Sequence, residues 1–235
     1  MKKNIISIIV PAYNEEENIA RCISKISSIM NTLNSSWEII VVDDGSKDKT
    51  IPILNKLKNS QDNLTVIAHD TNMGPGAAFR NGFKAAKGNI IITIDSDLSY
   101  SPEKIPLLLK YLGKYDIVIG SWNKNGARLL NVPLDRVIIS KVAHFLDMLM
   151  LGVNLSSLSS FFVAYKSSVI KNIPFKSNGF DAQCEIITRI YRKRYKIKEV
   201  PVNLAWSTDR RNKSKLKLLK EIKNRIALWA RLNIK

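Results

Sequence analysis

The chain has 235 residues, of which 45% are hydrophobic and 24% are charged, so it is long enough to bury one sizeable core. The opening apolar run is too short for a signal sequence, and charged residues interrupt the longest later one. We therefore expect no export and no membrane-spanning helix. The two cysteines, Cys22 and Cys184, argue against a disulfide framework and favour a reduced cytoplasmic protein with two inert core thiols.

The formal net charge is +17, and it is concentrated near the end of the sequence. Residues 189 to 235 include sixteen Lys or Arg and only three Asp or Glu. A basic region of this kind attracts anions. Nucleic acid, acidic lipid headgroups and phosphorylated substrates are therefore all candidate partners.

Short apolar runs alternate with helix-period segments through the first half of the chain. Most of these runs are continuously apolar, which is typical of strands covered on both faces. Asn14 is expected to cap a first helix, and residues 102–113 form a second, with Pro at its start and Gly at its end. The alternation predicts an α/β fold with a mostly parallel central sheet and helices on both faces. The predicted strands cover residues 7–10, 38–42, 64–68, 90–94 and 116–119.

The second half begins with a loop after Gly120. No linker rich in Pro, Gly or Ser separates its segments, so we expect them to complete the same domain. We divide the chain into a globular domain of residues 1–212 and a basic terminal helix of residues 213–235. Before that terminal helix, the predicted elements are helices over residues 133–151 and 181–194, and strands over residues 161–165 and 196–204.

Two motifs follow predicted strands at the point where each strand ends. They are Pro11-Ala12-Tyr13-Asn14-Glu15 and Val42-Asp43-Asp44-Gly45-Ser46. Ligands of open α/β sheets bind outside the carboxyl ends of the strands, so both motifs should face one crevice. An acidic side chain there can accept hydrogen bonds from a nucleobase, and Tyr13 can lie against the ring. Either motif alone is equally compatible with an ordinary turn.

A third motif, Asp95-Ser96-Asp97, follows the apolar strand at residues 90–94. Two carboxylates one residue apart at a strand end can face one hard cation, Mg²⁺ or Mn²⁺, which then bridges the phosphates of a nucleotide. The alternative is a turn in which Asp side chains bind the backbone. The position directly after a buried strand favours the metal site.

A glycine-containing segment covers residues 72–88. Its glycines suggest a backbone held close to a ligand, with a helix that begins there. The spacing matches neither the phosphate-binding loop nor the dinucleotide-binding fingerprint. This argues against an ordinary ATPase or dehydrogenase.

In their order and spacing, these motifs resemble those of family 2 glycosyltransferases, which have the GT-A fold of nucleotide-diphospho-sugar transferases. The resemblance is closest to the dolichol-phosphate mannose synthases and dolichol-phosphate glucosyltransferases, and it covers nearly the whole chain. The sequence departs from many of these relatives at Trp122, Ser157 and Phe161. Matching segments of the second half include Pro133-Leu134-Asp135-Arg136, Ser140-Lys141, Gly179-Phe180, Glu185 and Glu199-Val200-Pro201-Val202.

The resemblance implies a role for each matching residue. Asp95 and Asp97 would hold the metal ion and the diphosphate, with Ser99 at a further metal-site position. Arg210 or Arg211, together with Lys215, would close over the donor phosphates. The donor-binding residues would be Pro11, Ala12, Tyr13, Glu15, Val42, Asp44 and Ser96, and the acceptor phosphate would meet Arg136, Ser140 and Lys141.

The implied reaction transfers a hexose from a nucleotide-sugar to a polyprenyl or dolichyl phosphate. GDP-mannose is the favoured donor and UDP-glucose the next. A lipid phosphate is already an anionic nucleophile, so orientation and stabilisation of the departing diphosphate matter more than a strong base. We therefore predict an inverting displacement in which Asp95, Asp97 and Arg136 are the catalytic residues.

The terminal helix carries apolar residues every three or four positions from residue 214 onward, with Lys and Arg between them. A cationic amphipathic helix that includes Trp229 suits an anionic membrane surface. We therefore expect a peripheral protein on the cytoplasmic face of a membrane, where a membrane-protein partner could supply further acceptor contacts. The alternative is that the apolar stripe docks on the domain and the charges are solvated.

Other functions remain open. A nucleotidyltransferase would carry a Gly-rich basic loop after the first strand, which residues 11–14 lack. A nucleic-acid-binding protein would leave the carboxylates without a role, and its basic residues would be interleaved with aromatics, so no nucleic acid is expected. A family member with a sugar or protein hydroxyl as acceptor would need a base such as Asp181 or Glu185. A non-enzymatic protein that binds an anionic ligand is the last alternative.

Overall fold

The computed structural model of the chain describes residues 5–206 and 218–233, and for residues 218–220 it describes the backbone alone. Strands and helices alternate as predicted. The described strands are β1 (Ile5–Ala12), β2 (Ser36–Asp43), β3 (Leu64–Ala68), β4 (Ile90–Thr93), β5 (Ile117–Ser121), β6 (Leu129–Leu130), β7 (Val163–Lys166), β8 (Ile197–Pro201) and β9 (Leu204–Ala205). The described helices are α1 (Ile19–Asn31), α2 (Thr50–Lys58), α3 (Pro75–Ala85), α4 (Ile105–Leu112), α5 (Leu134–Leu151), α6 (Ser167–Ile170), α7 (Asp181–Arg192) and α8 (Leu218–Asn233).

The central sheet has, within the described residues, seven strands in the order β3-β2-β1-β4-β7-β5-β8. All neighbouring strands are parallel except β7, which runs antiparallel to both β4 and β5. The strands β6 and β9 form a separate parallel pair. The prediction of a mostly parallel sheet is therefore confirmed.

Apolar side chains cover both faces of the sheet. On one face, Phe79 and Phe83 of α3 pack with Ile187 of α7 and with strand residues such as Ile9. On the other face, helices α1, α2 and α4 contribute, among others, Ile23, Leu54 and Leu108. Successive residues of a strand point to opposite faces, so β1 supplies both clusters. Cys22 and Cys184 are buried free thiols, one in each cluster, as expected.

Two predicted element boundaries are wrong. Asn14 does not cap α1, because the helix begins at Ile19, while Asn14 adopts a φ of 51° and bonds the loop after β2 instead. The predicted strand over residues 196–204 is split into β8 and β9. Beyond Pro201 the chain leaves the central sheet, and Leu204 pairs with β6.

The C-terminal helix α8 packs against α5 and α7. Leu228 of α8 is fully buried, whereas Ile222 and Ile226 are 45% and 55% exposed. The division that we predicted between residues 212 and 213 lies outside the described residues. Across residues 5–206 and 218–233, no helix is both long enough and apolar enough to span a membrane.

Candidate active site

The three predicted motifs lie at one edge of the sheet. The strands β1, β2 and β4 are parallel, and their registers pair Ala12 with Asp43 and Ile9 with Thr93. The backbone N–H of Asp44 donates to Ala12 O at 2.8 Å, which joins the first two motifs directly. The carboxyl ends of β1, β2 and β4 therefore bring these motifs together, as the sequence predicts.

The loops after β1 and β2 are fastened to each other by side chains. Asn14 donates its backbone N–H to Ser46 Oγ at 2.8 Å and accepts from the Lys47 N–H through Oδ1 at 2.8 Å. Glu15 donates its backbone N–H to Thr50 Oγ1 at 2.8 Å. These bonds make the two loops one unit, in which Glu15 is buried and Tyr13 is half-buried.

The carboxylate of Asp44 is almost enclosed, since 4% of the side chain is exposed. Its Oδ1 accepts a hydrogen bond from the Met73 N–H at 2.9 Å and lies 2.7 Å from His69 Nδ1. Its Oδ2 accepts from the Gly74 N–H at 2.7 Å. Ala12 and Val42 are buried in the core, and Ala12 O accepts from the Asp44 N–H.

The pair Asp95 and Asp97 follows β4, and both residues are half-buried, whereas Ser96 between them is buried. The Ser99 N–H donates to Asp97 Oδ1 at 2.7 Å, so Ser99 fixes this carboxylate through its backbone. The Cys22 thiol lies beneath the pair and donates to Asp95 O at 3.8 Å. The pKa of this thiol is raised mainly by burial. The negative charges of Asp97, Asp95 and Glu15 raise it further.

The donor set fits a cation that binds together with a diphosphate. Among the residues that the structure describes, no group of three or more His, Cys, Asp or Glu side chains could hold a metal ion alone. Mg²⁺ is commonly held by one or two carboxylates together with substrate phosphates and water. Asp95 and Asp97 could supply two such oxygen ligands at the carboxyl end of β4.

Residues 7–173 match the family model described as Glycosyl transferase family 2. The chain belongs to this family. The dolichol-phosphate mannosyltransferase of Pyrococcus furiosus is 34% identical over 215 residues, which are 90% of this chain and 59% of that protein. The undecaprenyl-phosphate mannosyltransferase of Micrococcus luteus is 28% identical over 200 residues, covering 83% of this chain and 81% of that protein. The chain thus spans less than two thirds of the length of the Pyrococcus relative.

Solved structures show the same fold. The glucosyl-3-phosphoglycerate synthase of Mycobacterium tuberculosis, crystallised with Mn²⁺, UDP and phosphoglyceric acid, aligns with a TM-score of 0.71 at 22% identity. The alignment covers 99% of this chain and 80% of that one. The expected GT-A fold of this family 2 glycosyltransferase is therefore confirmed.

The three predicted acceptor residues lie on α5. The paired strands β6 and β9 connect the segment of residues 95–99 to this helix. Ala205 of β9 donates its N–H to Ser99 O at 2.9 Å, and β9 pairs with β6. The helix begins four residues after β6. Arg136 is half-buried, whereas Ser140 and Lys141 are exposed. Arg210, Arg211 and Lys215 lie outside the described residues.

Two of the glycines within residues 72–88, Gly74 and Gly76, lie against the protein's own backbone. A Cβ on Gly74 would lie 2.3 Å from Asn178 O, and one on Gly76 would lie 2.2 Å from Ser177 O. The Gly76 N–H donates to Asn178 O at 2.8 Å. The close approach that requires these glycines is therefore made by the protein's own backbone, although a helix, α3, does begin there as predicted.

The positions that depart from many family members have structural partners. Phe161 packs edge-on against Phe79, with ring centroids 4.9 Å apart, and stacks on Phe180 at 5.9 Å. The Ser157 N–H donates to Glu199 Oε1 at 2.9 Å. Trp122 packs against the core on the face covered by α1 and α4.

Sequence reasoning missed His69 and Asn81, which together support Asp44. His69 lies directly after β3, at the same edge of the sheet as the motifs. Its position after a predicted strand was the one available signal. Asn81 lies inside α3, and its contact with His69 depends on the tertiary fold.

Proposed function

We propose that the chain transfers a hexose from a nucleotide-sugar to the phosphate of a polyprenyl lipid, such as dolichyl phosphate, with inversion at the sugar. The likeness to the mannosyltransferases favours GDP-mannose as donor, with UDP-glucose next. The observation that carries the proposal is the placement of Asp95 and Asp97 beside both nucleoside motifs in a chain that is 34% identical to a dolichol-phosphate mannosyltransferase.

Different residues would bind the donor and the acceptor. Tyr13, Glu15 and Asp44 would bind the nucleoside, and Asp95 and Asp97 would hold Mg²⁺ or Mn²⁺. When bound, the ion neutralises the diphosphate leaving group. On α5, Arg136 with Ser140 and Lys141 would orient the acceptor phosphate, which needs no deprotonation because it is already anionic.

Glu185 does not suit the role of base for a hydroxyl acceptor. The residue is fully buried, and its carboxylate accepts from the Ser177 N–H at 2.9 Å, from Arg189 Nε at 2.9 Å and from Arg231 Nη2 at 3.2 Å. Burial by itself would raise the pKa of Glu185, but hydrogen bonds from Ser177 and Arg189 and the charge of Arg231 lower it. A carboxylate that is buried and already hydrogen-bonded by these partners is a poor base for a hydroxyl acceptor, which favours the phosphate acceptor.

A hydroxyl acceptor remains the second candidate because of Asp181. This residue is 5% exposed, and in the described part of the chain its Oδ1 has no hydrogen-bond partner. An unpaired buried carboxylate oxygen is the kind of group that can accept a proton from a substrate hydroxyl. Asp181→Asn separates the candidates, since a phosphate acceptor predicts a mild effect and a hydroxyl acceptor predicts a severe one.

The helix α5 presents an apolar face to the outside. Along it, Leu134 is 79% exposed, Ile138 61%, Phe145 61% and Leu149 68%. Residues at these spacings share one side of a helix. Arg136 and Ser140 lie one turn apart on a different side of the same helix, so an acceptor phosphate and an apolar medium could meet α5 together.

We infer that this face rests on the cytoplasmic surface of an anionic membrane. Exposed apolar area of this extent marks an interaction site. Lys141 is exposed on α5, between Ile138 and Phe145 in the sequence. The helix α8 packs beside α5, and its residues Ile222, Lys223 and Ile226 are also exposed. Basic residues near a membrane surface add attraction to anionic lipids.

Release of GDP or UDP tests the proposal. GDP-mannose and UDP-glucose are incubated with the protein and Mg²⁺ or Mn²⁺, with and without a short polyprenyl phosphate. Release from one donor that requires the acceptor is expected. Arg136→Ala should raise the KM for the acceptor while Lys114→Ala, an exposed charge elsewhere, should not. Release from neither donor, or release that ignores the acceptor, would contradict the proposal.

A further inference from the structure

A row of three polar side chains includes the carboxylate of Asp44; Asp44 and His69 are nearly enclosed, whereas Asn81 is exposed. Asp44 Oδ1 lies 2.7 Å from His69 Nδ1, and His69 Nε2 lies 2.8 Å from Asn81 Nδ2. The side chains of His69 and Asp44 are 5% and 4% exposed. Neither the family motifs nor the proposed mechanism gives His69 or Asn81 a role.

The partners of His69 indicate which ring nitrogen donates. The Asn81 amide nitrogen is a donor, so Nε2 must accept and cannot carry a proton. The remaining ring proton then lies on Nδ1 and is donated to Asp44. The imidazole is thereby held by a hydrogen bond at each nitrogen.

The hydrogen bonds at Asp44 leave little acceptor capacity. A carboxylate offers about four lone-pair sites, two on each oxygen. Oδ1 accepts from His69 and from the Met73 N–H, and Oδ2 accepts from the Gly74 N–H. One site remains, and it is on Oδ2.

We propose that His69, held by Asn81, is a positioning residue that leaves the Asp44 carboxylate with one free lone-pair site. A base that meets Asp44 can then donate a single hydrogen bond to it, and the site thereby selects uracil over guanine. Uracil presents a single ring N–H between two carbonyls. Guanine presents a ring N–H beside an amino group, and this pair of donors needs both carboxylate oxygens. One guanine donor would therefore stay unpaired at Asp44.

This inference rests on the proposed function, because it takes Asp44 as the group that meets the base. It revises the donor preference that sequence likeness favours, from GDP-mannose to a UDP-sugar. A buried donor without a partner costs enough to weaken binding by about tenfold or more. The expected preference is therefore measurable with the nucleotides alone.

Calorimetric titration of UDP and GDP in the presence of Mg²⁺ tests the base preference. The wild type should bind UDP about tenfold or more tightly than GDP. His69→Ala should lose most of this preference, and His69→Asn, whose amide can still donate to Asp44, should keep it. His144→Ala is the matched control, since His144 is the second of two histidines and lies on α5. Equal or tighter binding of GDP by the wild type, or a His69→Ala protein with unchanged preference, would overturn the inference.

A second measurement does not depend on nucleotide binding. In the His144→Ala protein His69 is the remaining histidine, so its ring nitrogens can be read directly by ¹⁵N NMR. A proton on Nδ1 and none on Nε2 is expected near neutral pH. The opposite tautomer, or a doubly protonated ring, would refute the positioning role. If the expected tautomer is present but neither nucleotide binds, the proposed donor site fails, and the base preference fails with it.

Discussion

Trp229 of α8 donates a hydrogen bond from Nε1 to Oδ1 of Asp147 in α5, with an N–O distance of 2.9 Å. Arg225 pairs with Oδ2 of the same carboxylate, which is 1% exposed. Leu228, between these two partners in the sequence, is fully buried. The basic helix α8 is therefore held to the domain by a buried ionic contact, and some of its apolar residues, such as Leu228, pack in the core.

The contact at Asp147 should contribute strongly to stability. Asp147→Ala should lower the free energy of unfolding by about 3 kcal/mol, because it leaves the Arg225 guanidinium without its partner in a largely buried position. Urea denaturation measures the change. Asp135→Ala, in the exposed first turn of the same helix, should cost about 1 kcal/mol at most. Equal losses in the two variants would show that the contact with α8 is weak.

The apolar face of α5 should be the main membrane contact. Phe145→Glu or Leu149→Glu should each weaken flotation with anionic vesicles by about tenfold or more, because an apolar group worth about 1.5–3 kcal/mol is replaced by a charge that the lipids repel. Ile5→Glu, at a 41% exposed site on the opposite edge of the sheet, should bind normally. If only Ile222→Glu reduced binding, the contact would belong to α8 instead.

Removing α8 altogether would not test its role at the membrane. A chain that ends before residue 218 would expose the surface that Leu228 covers and leave Asp147 unpaired. Loss of binding would then be hard to separate from loss of fold. Single substitutions at the exposed Ile222 and Ile226 keep the buried contacts and so give the cleaner experiment.

The carboxylate pair after β4 should be required for turnover. Asp95→Asn and Asp97→Asn should each reduce kcat by about 100-fold or more, because charge stabilisation of the departing diphosphate is lost. Thermal unfolding of both variants should remain close to that of the wild type. Asp62→Asn, an exposed carboxylate before β3, serves as the control. An Asp95→Asn protein with normal metal-dependent activity would refute the metal assignment.

Glu185 should make the protein sensitive to acid. Its pKa is lowered in the folded state, so its ionised form contributes stability above the ordinary carboxyl pKa, and this contribution is lost as the pH falls through the folded value. As the pH falls below about 5, the unfolding free energy of the wild type should therefore fall more steeply than that of Glu185→Gln. Glu103→Gln, at an exposed ion pair with Lys25, should follow the wild type.

The edge of the sheet that carries the site could be predicted from the sequence. Asp44 and Asp95 follow continuous apolar runs, and such runs indicate buried parallel strands whose carboxyl ends meet. The registers of β1, β2 and β4 confirm this arrangement. The long helix from residue 133 was also predictable, since Pro133 precedes it and Gly152 follows it.

Other features depend on contacts between distant residues. Val163–Lys166 reads as an apolar strand in either direction, so its antiparallel place between β4 and β5 could not be deduced. Asn is a common residue at the N-cap of a helix, but contacts with Ser46 and Lys47 hold Asn14 against the loop after β2. The α5 sequence is apolar on most sides, and which side stays uncovered depends on how α8 and the domain pack against it.

The transfer of the hexose to a lipid phosphate can be followed by where a label on the sugar is recovered. The protein is incubated with a donor labelled in the hexose, a short polyprenyl phosphate and Mn²⁺ or Mg²⁺, and the products are extracted with organic solvent. We expect label in the lipid fraction as a hexosyl phosphate of inverted anomeric configuration, with none formed by Asp97→Asn. Label recovered as free sugar, or attached to an added sugar or protein hydroxyl, would contradict transfer to the lipid phosphate.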